Sequence, residues 1–204
     1  MKIVIADKTH YNYAKIICET IAESANVRGT GIAKRTPDYI IKKMEDGNAV
    51  IALDGDSFVG FCYIEAWGHG KFVANSGLIV HPNYRGKGWA KKIKQVVFDH
   101  SKAKFPKAKI FSITTGLAVM KMNSNLGYKP VTFSELTNDA SFWKGCQTCK
   151  NYDVLQRTNQ QMCLCTGMLF DPTSKKTDDS KTIKPKVFKR LKAIKESLYL
   201  KKRK

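Results

Sequence analysis

The amino-acid sequence predicts an α/β domain built on one mixed sheet with helices on both faces. Hydrophobic residues recur with strand and helix periods in the order β-α-α-β-β-β-α-β-α, with a further strand near Val131. The three consecutive strands indicate an antiparallel meander, and the strand-helix-strand unit after them indicates a parallel pair. The composition agrees, because 43% hydrophobic and 26% charged residues are typical of a folded protein and exclude a wholly disordered chain.

Local signals place each element. Thr36 followed by Pro37 is typical of a helix start, Asp54-Gly55 indicates a hairpin turn, and Gly127 is placed to end a helix. The predicted strands are residues 2–6, 49–53, 58–67, 72–80 and 109–114. The predicted helices are residues 11–24, 37–46, 88–101 and 117–126.

The chain is predicted to comprise a domain over residues 1–133, a cysteine-bearing extension over 134–172 that completes it, and a basic tail over 173–204. Thirty-six Lys and Arg against 17 Asp and Glu give a net charge of +19, and the tail, with 13 basic and 3 acidic residues, supplies +10 of it. A helical stripe of apolar residues in the tail comprises Val187, Leu191, Ile194 and Leu198. Such a helix could dock on its own domain, lie on acidic lipid or touch nucleic acid. Since only two aromatic residues, Phe188 and Tyr199, stand among the basic ones, we expect no nucleic-acid partner.

The sequence also predicts a cytoplasmic protein. No run of about 18 apolar residues is present, so no membrane-spanning helix is expected. The apolar run at residues 3–6 is too short for an export signal and is followed by Asp7. In a reducing compartment the six cysteines are free to serve as metal ligands or functional thiols.

A glycine-rich turn between a strand and a helix is the most informative segment. The strand ending at Val80 is followed by His81-Pro82-Asn83-Tyr84, and the turn and helix start that follow comprise Arg85, Gly86, Lys87, Gly88, Trp89 and Ala90. Glycines there allow successive N–H groups to point one way, and the start of the helix adds partial positive charge. The segment therefore predicts a phosphate or pyrophosphate site. It matches neither GxxxxGK[ST] nor GxGxxG.

This turn resembles the acyl-CoA loop of the GNAT superfamily of N-acetyltransferases, whose signature Gln/Arg-x-x-Gly-x-Gly/Ala is met by Arg85, Gly88 and Ala90. The order of elements over residues 1–133 agrees with that superfamily. The resemblance implies transfer of an acyl group from acyl-CoA to an amine by direct attack. It also implies a sheet that opens beyond the strand ending at Val80. The amides from Arg85 to Ala90 would then hold the CoA pyrophosphate, and the main chain of Leu78, Ile79 and Val80 would hold the pantetheine arm.

The catalytic residues depart from that superfamily's pattern. Residues 74–77 lack the carboxylate that many of its members use as a base, which leaves Glu65 as the candidate, acting directly or through water. Glu65 could equally be a solvated charge at a strand end. The usual Tyr acid, four residues before Gly127, is replaced by Asn123, which can orient a substrate but cannot protonate the departing thiolate. Water would then supply that proton.

The acceptor is expected to lie against the connection between the first two helices. This segment holds Arg28, Thr30, Lys34 and Arg35. Its cations suit a small amine acceptor that carries a carboxylate, because Arg binds carboxylates through two parallel hydrogen bonds. A solvated basic loop is the alternative.

Two cysteine pairs in the extension are candidates for a structural zinc site. Cys146 and Cys149 precede Cys163 and Cys165 by a spacing that allows four thiolates to surround one Zn²⁺. Free buried thiols or a redox pair are the alternatives.

The extension and the basic loop together resemble a bacterial GNAT subgroup associated with arginine biosynthesis and proposed to contain N-acylglutamate synthases. That resemblance implies glutamate as acceptor and acetyl-CoA or succinyl-CoA as donor. The alternatives are a GNAT enzyme acting on a protein amine or a polyamine, and a non-enzymatic nucleic-acid-binding module that uses the tail. An oligomer is possible.

Overall fold

Seven strands form one mixed sheet in the residues that the computed structural model describes, which are 1–28, 35–149 and 151–174. They are β1 (Lys2–Ile5), β2 (Ala49–Asp54), β3 (Ser57–Trp67), β4 (Phe72–Val80), β5 (Lys109–Thr114), β6 (Lys129–Val131) and β7 (Thr166–Phe170). The order across the sheet is β1-β2-β3-β4-β5-β7-β6. Neighbouring strands are antiparallel except β4 and β5, which are parallel. The predicted mixed α/β fold is confirmed.

Six α-helices accompany the sheet within those described ranges. They are α1 (Ala14–Arg28), α2 (Pro37–Glu45), α3 (Trp89–Lys104), α4 (Leu117–Asn125), α5 (Ala140–Lys144) and α6 (Tyr152–Arg157). Thr36 caps α2 as predicted, its side chain accepting a hydrogen bond from the Tyr39 N–H. None of the helices in the described ranges is long and apolar enough to cross a membrane.

The core is divided by the sheet. Ile93 and Val97 of α3 pack on one face, against residues such as Val73 and Ile110. Ile17 and Ile21 of α1 pack on the other face together with α2. A third cluster around Phe111 and Trp143 joins the sheet to α5 and α6. Each face of the sheet is therefore covered, as a mixed sheet with a parallel pair requires.

The strand β7 was not predicted from the sequence. It pairs with β5 on one side and with the edge strand β6 on the other, so the extension contributes an interior strand of the sheet. Residues Met1–Pro172 form one compact unit. The predicted tail helix lies outside the described residues.

Candidate functional site

The parallel strands β4 and β5 separate partway along their length. They pair at Phe72 with Lys109, Val73 with Ile110 and Ala74 with Phe111. From Asn75 onward β4 has no pairing to β5 in this part of the sheet. A cavity of about 700 Å³ occupies the opening, and both strands line it, through Asn75–Leu78 of β4 and Ser112–Thr114 of β5 among others. The sheet therefore opens where the GNAT resemblance predicted.

A β-bulge shapes the β4 side of the opening. The register between β3 and β4 shifts between Phe61 and Tyr63. Opposite this shift Gly77 has φ +66°, and a Cβ there would collide with the buried ring of Tyr63. Only glycine fits both conditions, because other residues rarely adopt positive φ and would have a Cβ. The bulge turns the β4 main chain at the level of the cavity.

The antiparallel ladder decides which main-chain groups face the opening. The His81 N–H donates to the Val59 carbonyl at 2.9 Å. Since hydrogen-bonded pairs alternate along such a ladder, Ile79 turns its main-chain groups toward Phe61 of β3. The neighbouring Leu78 and Val80 turn theirs toward the opening. This differs from the prediction that all three residues face the pantetheine arm.

The turn before α3 has the geometry of an anion site. Gly86 and Gly88 have φ +77° and +81°, and open space lies where a Cβ would project. Within the described part of the chain, the N–H groups of Gly86, Lys87 and Gly88 donate to no backbone carbonyl. Trp89 and Ala90 add the unpaired amides of the first turn of a 16-residue helix. These residues fit a pyrophosphate.

Arg85 stabilises this turn, and its own N–H is not available to bind a phosphate. Its N–H donates to the Pro82 carbonyl at 3.2 Å. Its guanidinium donates to the Val80 carbonyl at 3.1 Å and to Ser24 Oγ at 2.7 Å. Arg85 therefore ties the turn to the end of β4 and to α1, and the amides available to a phosphate begin at Gly86.

The carboxylate of Glu65 lies in the cavity wall on the face of the sheet that carries α2. It accepts a hydrogen bond from the Tyr39 hydroxyl and pairs with Lys43 Nζ at 3.2 Å. Its side chain is only 16% exposed. Glu65 is thus a partly buried, paired carboxylate that lines the cavity, and it differs from the solvated strand-end charge that was the alternative.

Arg35 and two tyrosines surround Glu65. Arg35 Nε donates to the Tyr63 hydroxyl at 2.7 Å, and the guanidinium lies 5.1 Å from the centre of the Tyr39 ring. Burial raises the pKa of Tyr63 to about 12, and burial beside Tyr63 and Glu65 raises the pKa of Tyr39 further. Both hydroxyls are therefore protonated at neutral pH. The sequence reasoning missed these tyrosines, although strand alternation from Glu65 places Tyr63 on the same face.

The structure describes only some of the residues that were predicted to bind the acceptor. Arg35 lines the cavity, as predicted. Thr30 and Lys34 lie outside the described residues, and of Arg28 the structure describes only its place at the end of α1.

Asn123, the residue at the position of the usual Tyr acid, lies on α4. It is fully buried on α4 and is not part of the cavity wall. Its side-chain amide has no hydrogen-bond partner among the described residues. The side chain of Asn123 therefore lies behind the cavity wall, and its role in orienting a substrate stays a prediction.

Lys94 takes part in a buried polar network on the α3 face. Its Nζ donates to Asn75 Oδ1 at 3.3 Å, and the Tyr128 hydroxyl donates to the same oxygen at 3.0 Å. Asn75 Nδ2 donates to Ser101 Oγ at 2.7 Å. Both Lys94 and Asn75 line the cavity. Sequence reasoning did not find this network.

The four cysteines of the extension meet at one wall of the same cavity. They are Cys146, Cys149, Cys163 and Cys165. Burial together with the neighbouring thiols raises the pKa of Cys146 to about 11 and that of Cys165 to about 12. No group of three or more His, Cys, Asp or Glu side chains could hold a metal ion among residues 1–28, 35–149 and 151–174. The predicted zinc site therefore finds no support in the geometry, which has free, half-buried thiols.

Sequence comparison gives one family. The model of the acetyltransferase (GNAT) family matches residues 18–120, a stretch that includes the turn before α3 and the opening between β4 and β5. A search of curated proteins found no match.

Solved structures share the fold. N-acetylglutamate synthase from Neisseria gonorrhoeae, complexed with coenzyme A and N-acetyl-glutamate, is 12% identical with a TM-score of 0.60 over 85% of this chain. This chain spans only 35% of that protein's length. A Mycobacterium tuberculosis protein in complex with CoA is 12% identical, with a TM-score of 0.59 over 84% of this chain and 99% of its own. A phosphinothricin acetyltransferase from Sinorhizobium meliloti in complex with AcCoA is 15% identical, with a TM-score of 0.56 over 87% and 94% of the two chains.

Proposed function

Since the chain belongs to the GNAT family of acetyltransferases and is an acyl-CoA-dependent N-acyltransferase, we propose that its acceptor is the α-amine of a small amino acid, with glutamate as the first candidate. The observation that carries the proposal is the continuous cavity through the opening of the sheet. It is lined by Lys94 and Asn75 on the α3 face and by Arg35 and Glu65 on the α2 face. An acyl donor and an acceptor can therefore meet between β4 and β5 from opposite faces.

The donor side follows from the turn before α3. The amides from Gly86 to Ala90 and the side chain of Lys87 would bind the pyrophosphate of acyl-CoA. The pantetheine arm would then run along the free edge of β4, where Leu78 and Val80 turn their main-chain groups. This path delivers the thioester to the start of the opening. Acetyl-CoA and succinyl-CoA are the predicted donors.

The acceptor side is more positive than negative. Arg35 and Lys43 lie beside Glu65, the one carboxylate in the described part of the cavity wall. A polyamine would be repelled there, whereas a carboxylate of the acceptor would be attracted by Arg35. Glu65 would take a proton from the α-amine, directly or through water, as the amine attacks the thioester carbon. This arrangement supports an amino acid over a polyamine. The solved N-acetylglutamate synthase offers a parallel, and an N-acylglutamate product would agree with the predicted place in arginine biosynthesis.

An assay of free-thiol release tests the proposal. Acetyl-CoA and succinyl-CoA are each combined with a panel of amines that includes glutamate, glutamine, lysine, spermidine and a peptide N-terminus. We expect the highest kcat/KM with glutamate. We also expect Arg35→Met to raise KM for glutamate about 10- to 100-fold, because a charge-assisted hydrogen bond is lost, while CoA affinity is unchanged.

Arg157→Met is the matched control, since Arg157 is exposed on α6 and pairs with Asp153 at 3.5 Å. It should leave both constants unchanged. Faster turnover of lysine, the peptide or spermidine than of glutamate would overturn the amino-acid proposal and favour a protein amine or polyamine. A nucleic-acid-binding role for the tail concerns residues outside the described ranges.

A further inference from the structure

Among the residues that the structure describes, no anion lies beside the buried ammonium of Lys94. The residue is 1% exposed on α3. The groups that face it are the Cys62 thiol of β3, the Asn75 amide of β4 and the Tyr128 ring, 5.1 Å from Nζ. Burial raises the pKa of Cys62 to about 11 and raises the pKa of Tyr128 well above its ordinary value, so both are neutral at pH 7. Burial lowers the pKa of Lys94 itself to about 8.

The position of Lys94 coincides with the point where the sheet opens. Its Nζ contacts Asn75, the first β4 residue beyond the last pair with β5. The preceding residue, Ala74, is paired with Glu65 of the neighbouring strand β3. Since successive strand residues point to opposite faces, Glu65 and Lys94 flank the start of the opening from opposite sides.

The expected path of the pantetheine arm ends beside this amine. The helix α3 begins at the proposed pyrophosphate site, and Lys94 lies five residues, about 7.5 Å, along it from Trp89. An arm that follows the free edge of β4 from Val80 toward Asn75 runs alongside this part of α3. Its sulfur would then lie in the part of the cavity that Lys94 lines.

We propose that Lys94 is the catalytic acid that protonates the sulfur of CoA as the thioester C–S bond breaks, a role that deepens the proposed function and rests on it. The acceptor nitrogen forms the new N–C bond, and the electron pair of the C–S bond goes to sulfur. The proton on Nζ then passes to sulfur, which gives the free thiol of CoA. Neutral Lys94 regains a proton from solvent, while Glu65 releases the proton taken from the amine.

The acidity of the Lys94 ammonium matches that of the CoA thiol that it would protonate. An acid is most effective when its pKa lies near the working pH and near that of the leaving group, and thiols titrate near pH 8.5. A solvated lysine, at about 10.4, would be a much weaker acid. Burial among neutral groups brings Lys94 into the useful range, and it supplies the proton that Asn123 cannot.

Turnover of two variants tests the proton transfer. Lys94→Met removes the acid at similar side-chain length and should lower kcat about 100- to 10,000-fold, with KM for acyl-CoA within about threefold of native. Lys94→Arg keeps the charge but cannot give up its proton, so its kcat should also stay low. Lys102→Met, on the exposed part of α3, should behave as native. A kcat of Lys94→Met within threefold of native, or full activity of Lys94→Arg, would overturn the proposal.

A second measurement does not depend on the acceptor. The thiol of bound CoA is titrated by the ultraviolet absorbance of its thiolate, with the desulfo-CoA complex as the blank for the protein's own cysteines. An ammonium next to the sulfur should lower the thiol pKa by at least about one pH unit relative to free CoA, and Lys94→Met should abolish that difference. Equal values for bound and free CoA in the native protein would overturn the proposal even if no amine in the panel is acylated. Failure of the amine panel alone would reject only the proposed acceptor.

Discussion

The two sides of the opening in the sheet differ in how their charges are satisfied. On the α2 face, Glu65 is paired with Lys43 and Tyr39, and Arg35 donates to Tyr63. On the α3 face, the positive groups have no anion beside them, as Lys94 and the amides of Gly86 to Gly88 illustrate among the described residues. Burying unpaired positive groups lowers the stability of the protein when no ligand is bound. Here these groups lie where the proposed ligand, acyl-CoA, would place its pyrophosphate and its sulfur. The side that lacks internal partners is thus the side whose ligand would supply them.

The largest effect that tests this contrast is expected at the turn before α3. Gly88→Glu places a carboxylate among the amides of the anion site and should weaken CoA binding about 1,000-fold, as several charge-assisted hydrogen bonds are lost. Affinity is measured by calorimetry with CoA. Gly55→Glu is the matched control, because Gly55 also has positive φ and open space around its Cβ but lies in the β2–β3 hairpin. Equal losses in both variants would mean that backbone strain, and not the anion site, governs binding.

The free energy of unfolding should show how much the burial of the Lys94 ammonium destabilises the fold. Lys94 has its pKa lowered to about 8 in the folded protein against about 10.4 when unfolded, so the unfolded state binds more protons between these values. Its burial therefore costs about 3 kcal/mol below pH 8, and the cost disappears as the pH rises toward 10.5. In urea unfolding without CoA, Lys94→Met should be more stable than native by about that amount at pH 7, and the gain should shrink by pH 10. A gain that is independent of pH would show that Lys94 is already neutral or is compensated in the fold.

The contrast also separates what the sequence could predict from what it could not. The turn from Gly86 to Ala90 was predictable because its function depends on neighbouring residues and on local backbone geometry. Glu65 was predictable because strand alternation fixes its face once the strand is assigned. Lys94 lies in a run of lysines that is typical of an exposed helix face, yet it is three and four residues from Val97 and Phe98, which are buried. That spacing was the available signal.

The remaining differences arise from contacts between distant parts of the chain. The strand β7 inserts between β5 and β6, and no local period indicates which strands a five-residue segment will join. The position of Asn123 was inferred from a family motif, but the packing of α4 buries its side chain away from the cavity. The spacing of Cys146 and Cys163 predicted that the two pairs could meet, and they do line one wall, but spacing alone does not fix the geometry of a metal site.

The smallest effects are expected on the α2 face, where each charge has more than one partner. Glu65→Gln should lower kcat/KM about 100-fold, because the amide cannot accept the proton of the amine, while CoA affinity stays native. Tyr39→Phe removes only a hydrogen bond to that carboxylate and leaves Lys43 in place, so a decrease of about fivefold is expected. Steady-state kinetics with glutamate measures both, and Glu45→Gln on the exposed side of α2 is the control. Since the Tyr39 hydroxyl is protonated and donates to Glu65, equal losses in the two variants would mean that the proton of the amine passes to the Tyr39 oxygen while Tyr39 gives its own proton to Glu65.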